Sequence, residues 1–280
     1  VIKSVAYFPL QCAQNSTPVI TAMLNSLRSA GITAIENSMD ADAAIVWSVL
    51  WSGRMASNKQ VYEHYRAQGK PVIVVDVGAL YRGETWKIAV NHINQLGYYG
   101  HTEDLDMDRP RKLGISLALN LSRNPTILIA AQHRHSLQLV DQNHEAWIMD
   151  IVSEIRQVSD RPIVIRPHPR SPLQIASLTK DITIEKPEKT PNTYDSYNMH
   201  FDYHAVVNYC SGPGTQAAIS GTRPIVGAYS LALPVSVAIT DIERPYDTDR
   251  DQWLVEICHT EYTVKEIQQG LWLQRLNSHL

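Results

Sequence analysis

Two short stretches in the second half of the chain bring together side chains suited to an anion. In "DRPIVIRPHPRSP", Arg166, His168 and Arg170 follow directly on an apolar run. Two prolines hold that exit extended, so the three side chains alternate along a stiff segment. Farther on, "NYCSGPGTQAAISG" sets Ser211, Gly212, Gly214 and Thr215 between another apolar run and a small-residue helix pattern. A helix N-terminus offers unpaired backbone N–H groups and about half a positive charge to a phosphate. Glycines let the backbone approach a ligand closely, and hydroxyls add donors. Cationic and proton-donating groups near such a helix start suit a diphosphate; a solvated charge cluster and a plain capped turn are the alternatives.

Strands must carry these groups. Short apolar runs alternate with helix-period segments along the chain, the pattern of parallel strands joined by crossover helices. The first half predicts strands at Ser4–Phe8, Ala43–Val49 and Pro71–Val77, with helices over Pro18–Ala30 and Asn58–Gln68. "RSAGITAIE" and "RAQGKPVIVVD" each end a helix at glycine before the next strand. The second half predicts strands at Thr126–Ala130, Pro162–Ile165, Ile182–Ile184, Ala205–Asn208, Pro224–Val226 and Ser236–Ile239, and a helix through His144–Val158. "MDRPRKLGISLALNLSRNP", Met107–Pro125, reads as a helix-like connector. The expected domains are 1–122 and 123–245, followed by C-terminal helices over 246–280 in which Trp253 and Trp272 dock. No fixed short repeat is present, which excludes a solenoid.

"RPHPR" followed by "NYCSGPGTQAAISGTRPIV" resembles the His-Pro motif and downstream Ser/Thr phosphate motif of GT-B glycosyltransferases, including polysialyltransferase-like and teichoic-acid-polymerase-like enzymes. The resemblance covers mostly residues 126–245. It implies an α/β chain of two facing Rossmann-like domains with mostly parallel sheets, the nucleotide-sugar donor held mainly by the C-terminal one. On that resemblance His168 contacts the nucleotide or diphosphate, and Ser211, Gly212, Gly214 and Thr215 contact the phosphates. This chain has Ser-Gly-Pro-Gly-Thr where those families commonly show paired Ser/Thr. The loop "AAQHRHS" delivers Gln132, His133, Arg134, His135 and Ser136 into the crevice that faces the donor in such enzymes. No cofactor is implied beyond the nucleotide-sugar co-substrate. UDP is the commoner carrier, and CMP or CDP suits the His-Pro resemblance.

His133 and His135 also have the look of a metal pair, but no carboxylate or cysteine set stands at matching spacing, so no metal site is expected. Glu185 ends "DITI" and can accept from a ribose or lie on the surface. An inverting sugar transfer needs a base for the acceptor hydroxyl. Asp76, ending the most apolar first-half strand before Gly78, is the first candidate, with Glu84 and His101 behind it; the alternative is that Asp76 caps the next turn. Trp51 and Arg54 in "VLWSGRM" can hold a sugar or a flat base, and Tyr98 and Tyr99 can stack one or fill a packed loop.

With 280 residues, 44% hydrophobic and 19% charged, the chain has the composition of a globular protein of two domains. A net charge of −3 gives no overall basic footprint. Three scattered cysteines read as reduced thiols of a cytoplasmic protein, in the host cell if the chain is phage-encoded, and no membrane span is expected. The size and lack of a membrane anchor are similar to small phage glucosyltransferases, which favours a hydroxymethylated pyrimidine in DNA as acceptor, with Lys3, Arg54, Lys59, Arg66, Arg82 and Lys87 as a cationic track. A polysaccharide or small-molecule acceptor, a non-hydrolysing sugar-nucleotide epimerase, and a nucleotide-binding protein without catalysis are the rivals.

Overall fold

The computed structural model describes residues 2–119, 124–139, 143–175, 180–193 and 196–280. The first strands and helices are β1 (Ser4–Tyr7), α1 (Thr17–Ser29), β2 (Thr33–Glu36), β3 (Ala43–Trp47), α2 (Asn58–Ala67), β4 (Val72–Val77), β5 (Thr85–Val90) and α3 (Arg109–Leu113). Next come β6 (Ile127–Ala130), α4 (His144–Arg156), β7 (Ile163–Arg166), β8 (Ile182–Ile184) and a hairpin of β9 (Glu188–Lys189) with β10 (Tyr197–Asn198). They are followed by β11 (Ala205–Asn208), α5 (Gly212–Ile219), β12 (Arg223–Val226) and α6 (Asp251–Cys258). The chain closes with β13 (Glu261–Thr263), α7 (Val264–Gln268) and α8 (Leu271–Leu276).

Two compact units result, Val1–Arg109 with Val255–Leu280, and Pro110–Leu254. The boundary expected between residues 122 and 123 lies outside the described residues. In the first unit the sheet order is β13-β5-β4-β3-β1-β2; pairs from β4 to β2 are parallel, while β5 is antiparallel to both β4 and β13. One face, with Ile45, Trp47, Ile73, Val75, Trp86 and Ile88, packs against Val19, Met23 and Leu27 of α1 and Ile267 and Trp272 of the tail. The other face meets α2. Gly31 and Gly69 take φ of 75° and 68°, the left-handed conformation that ends a helix and that glycine adopts at least cost.

The second unit has the all-parallel order β12-β11-β6-β7-β8. Helix α4 buries Ile148, Val152 and Ile155 on one face, and α5 buries Ala217 on the other. Covering both faces is what a parallel sheet of apolar strands requires.

Three expectations need correction. Ser236–Ile239 forms no strand. Val237 N–H does donate to Pro224 O (3.0 Å), but beside it the Ser236 hydroxyl accepts from Val226 N–H (3.1 Å) and donates to Pro224 O (3.0 Å), so a side chain takes up the next backbone donor and no ladder continues. The tail is not helical throughout, because Glu261–Thr263 pairs with β5. The Met107–Pro125 connector is helical only over Arg109–Leu113 among its described residues.

An ion pair ties the second unit together near β7. Arg161 grips Glu243 with Nε at 2.8 and 3.0 Å from its two oxygens and Nη2 at 2.8 Å, while the Ser159 hydroxyl donates at 2.6 Å. The Arg161 bonds chiefly, and Ser159 after them, hold the Glu243 carboxyl down to about 2 against an ordinary 4.5. A folded-state value below the unfolded one gives stability that is present above 4.5 and lost as pH falls through about 2. Glu243→Gln should therefore melt below the parent protein at pH 6, and the gap should close between pH 4.5 and pH 2. Parallel melting curves across that window would contradict this.

Candidate functional site

In the second unit, β6 lies at the centre, with β7 on one side and β11 on the other, so the sheet reverses direction of winding between β6 and β11. Ligands of open α/β sheets bind outside the carboxyl ends of strands at such a point. Asn208, fully buried at the end of β11, joins the two exits: its Nδ2 donates to Ala130 O (2.8 Å) and Ser211 Oγ (2.9 Å), and its Oδ1 accepts Ser211 N–H (2.8 Å). Nearby, Gln132 Oε1 accepts Cys210 N–H at 3.3 Å, and the Cys210 thiol donates to Gln138 Oε1 at 2.6 Å.

This network engages Ser211, the residue before α5, so that no side chain caps the helix start. The first-turn N–H groups keep their electropositive field for a ligand. Gly212 is partly exposed there. Gly214 and Thr215 are buried, and a Cβ on Gly214 would stand 2.7 Å from Val226 Cγ1. The second glycine thus serves the packing of α5 on β12.

Histidines from two strand exits of the same sheet meet each other. His133, after β6, and His168, after β7, have ring centroids 5.0 Å apart at 79°, and His135 lies 5.6 Å from His133. His133 Nδ1 accepts His135 N–H at 3.1 Å, and His168 Nδ1 accepts Arg170 N–H at 3.1 Å. An accepting Nδ1 puts the ring proton on Nε2, so both imidazoles carry their proton there. His133 is 7% exposed, and burial, then the positive neighbours His135, Arg170 and Arg134, push it down to about 4. It is a neutral donor through the physiological range. His135 and Arg170 are exposed.

Arg166 behaves differently from its neighbours. It is 3% exposed, donating to Tyr203 OH (2.8 Å), Glu185 Oε1 (3.2 Å) and His200 O (3.1 Å). Arg166 and Glu185 therefore meet each other, and the guanidinium anchors the β10–β11 segment. Its Nε is buried without a partner among the described residues.

In the first unit, Asp76 stands near the carboxyl end of β4. Its Oδ1 accepts Val77 N–H (2.8 Å) and its Oδ2 accepts the Ser48 hydroxyl (3.2 Å). Ser48 leaves β3 at φ 63°, a conformation uncommon outside glycine. Burial pushes the Asp76 carboxyl up, while Val77 N–H, Lys87, Ser48 and Arg82 pull against it. Register sets Lys87 of β5 opposite Asp76 and Glu261 of β13 opposite Lys87. Glu261, 0% exposed, accepts Ala79 N–H (2.6 Å), Leu80 N–H (3.1 Å) and the Thr85 hydroxyl (2.7 Å), which shapes the loop after Asp76. Gly78 does leave room, but for this carboxylate: a Cβ would stand 2.3 Å from Glu261 Oε2.

The remaining first-unit candidates are dispersed. Glu84 is exposed in the β4–β5 turn, and His101 is exposed with its carbonyl accepting from Arg275 (2.9 Å). Tyr98 stacks on His279 at 3.5 Å, while the Tyr99 hydroxyl is buried with no hydrogen-bond partner among the described residues. Burial, then Glu261 and Asp76, push the Tyr99 phenol well up. Trp51 packs on Tyr62 (5.7 Å), and Arg54 is exposed. The expected cationic track is interrupted, because Lys87 is buried and Lys59 faces Glu63 at 3.7 Å. Sequence reading passed over Asn208, Ser48 and Glu261, and gave Lys87 only to the cationic track. Among the described residues, no three His, Cys, Asp or Glu side chains are grouped to hold a metal ion, and no helix is long and apolar enough to cross a membrane.

No protein-family model and no curated protein matches the sequence. Solved structures do resemble it. The Thermosulfurimonas dismutans KpsC beta Kdo 2,4 transferase aligns over 97% of this chain and 98% of its own at 9% identity, with a TM-score of 0.51. The beta Kdo 2,7 transferase of the same organism's KpsC aligns over 97% and 99% at 12% identity, with a TM-score of 0.50. A Methanocaldococcus jannaschii UDP-GlcNAc 2-epimerase superposes far less closely, with 10% identity over 97% and 98% and a TM-score of 0.32. Two α/β units with mostly parallel sheets, matched along almost the entire chain by the two transferase structures, give this protein the GT-B glycosyltransferase fold.

Proposed function

We propose that the chain is a glycosyltransferase whose second unit binds the phosphate of a nucleotide-sugar donor and whose first unit supplies Asp76 as base to an acceptor hydroxyl. The observation that carries this reading is the pair of Nε2–H imidazoles, His133 and His168, in the unit where α5 starts uncapped at the β6/β11 switch point. Imidazole N–H donors and a helix dipole stabilise a phosphate and its leaving charge. The His-Pro resemblance supports a CMP-linked sugar over a UDP-linked one, and the likeness to two Kdo transferases supports a saccharide acceptor over DNA. The hydroxymethylated-base acceptor needs a cationic track, which burial of Lys87 weakens.

His168→Ala should weaken donor binding by about 1.5–3 kcal/mol, the scale of a lost hydrogen bond to a charged group. Calorimetric titration with CMP-Kdo and a panel of UDP-sugars measures this, and unchanged affinity would remove the site. Transfer of labelled sugar to oligosaccharides and to hydroxymethylated DNA, run side by side, decides the acceptor. Label on DNA alone would overturn the saccharide reading, and interconversion of the donor sugar without an acceptor would point to epimerase chemistry.

A further inference from the structure

From the order of charges across the first sheet we infer that Lys87 is a positioning residue for Asp76, its ammonium fixed by strand register as the countercharge the carboxylate faces when it takes a proton. The inference deepens the reading of Asp76 as base and rests on it. Directly opposed residues of antiparallel strands share a face. Asp76 on β4, Lys87 on β5 and Glu261 on β13 therefore form one row, continued by Ser48 after β3. This face is the one opposite Ile73, Val75 and Ile88.

Lys87 is 9% exposed, and among the described residues it makes no hydrogen bond and no ion pair within 4.0 Å. Its Nζ is not among the fully buried polar atoms left without a partner, so the ammonium sits at the edge of the buried face, where a neighbouring opposite charge counts for more than in open water. Nothing in packing asks for a lysine here, since Ala89, two residues along on the same face, is also fully buried. What the position does offer is a carboxylate on each side. Glu261 is held in place by Ala79 N–H, Leu80 N–H and the Thr85 hydroxyl. Asp76 is the carboxylate that the proposed reaction asks to take a proton.

The other groups bearing on Asp76 are the Ser48 hydroxyl from β3, Arg82 from the β4–β5 turn and the Tyr99 phenol from the loop after β5. Tyr62 of α2 donates to Asn91 O and takes no part. With Asp76 ionised, the three charges of the row sum to minus one; with the acceptor proton on Asp76 they sum to zero. An ammonium beside the carboxylate favours the ionised form, so the base remains competent at a lower pH than burial alone would permit.

The test is the pH dependence of turnover in Lys87→Met and Lys87→Arg, with Lys87→Gln in reserve should the methionine variant not fold. Loss of the ammonium should move the acidic limb of kcat upward by about one pH unit or more, with donor KM unchanged and most activity recovered on the alkaline plateau. Lys87→Arg should restore the parent profile. An unmoved limb in a folded variant, or an arginine variant that behaves like methionine, would overturn the inference. Carbon-13 NMR titration of the Asp76 carboxyl reads the same shift without any reaction. Full activity in Asp76→Asn would sink the base assignment, while a carboxyl titration that still moves in Lys87→Met would keep the countercharge.

Discussion

Asparagine at Asp76 is expected to lower turnover by about 100-fold or more, the usual scale for loss of a general base, and to leave donor affinity nearly unchanged, since the donor site proposed above is built from second-unit residues. The same substitution should raise thermal stability at neutral pH. Burial lifts the folded-state value of the Asp76 carboxyl above its ordinary 3.8, so its contribution to stability is fully present below 3.8 and lost as pH rises through the raised value. An amide carries no such cost, and it keeps an acceptor for Val77 N–H or the Ser48 hydroxyl. The variant should melt above the parent protein at pH 7, and the gain should vanish in acid. A slow but stabilised variant marks a carboxylate kept for chemistry. Lower stability together with full activity would make Asp76 a turn cap, its alternative reading.

The second large effect concerns the tail. Trp272 of α8 is fully buried, and its indole N–H donates to Ser26 Oγ at 3.0 Å, whose own hydroxyl donates to Met23 O at 2.8 Å within α1. Deleting a buried aromatic of this size costs about 3–5 kcal/mol, from lost transfer energy and the cavity left behind. Trp272→Ala should show that loss in urea unfolding of the first unit, and Ser26→Ala only about 1 kcal/mol from the single hydrogen bond. A Trp272→Ala loss below about 1 kcal/mol would mean that α8 contributes little to the core.

Much of this arrangement was legible in the chain. The apolar runs at residues 43–49, 71–77, 126–130 and 205–208 became strands, and "RSAGI" and "RAQGK" ended helices where glycine reaches positive φ. His133 and His168 were readable because strand exits with prolines or polar clusters project side chains in a fixed direction. Strand β5 went unread: Trp86, Ile88 and Val90 alternate correctly, but Thr85 and Lys87 break the apolar run, and they are polar because that face carries the charge row. Glu261 stood in a stretch that reads as helix, and only its register with β5 brings it to the loop after Asp76. Asn208 looked like an ordinary strand end, because its two partners, Ala130 and Ser211, become neighbours only when β6 and β11 pair.

Residues 255–280 belong to the first unit although the whole of 110–254 intervenes. On the ribosome the chain emerges from its N-terminus, so the second unit, continuous in sequence, is complete before the first can close. Until Glu261–Thr263 is synthesised, β5 is a bare sheet edge, open to pairing with a strand from another nascent chain. Lys87 sits in the middle of that edge. A charge placed there discourages the wrong partner while the right one is still being made, and Arg109, which finally grips Cys258 O, Glu261 O and Glu266, fastens the late segment in place.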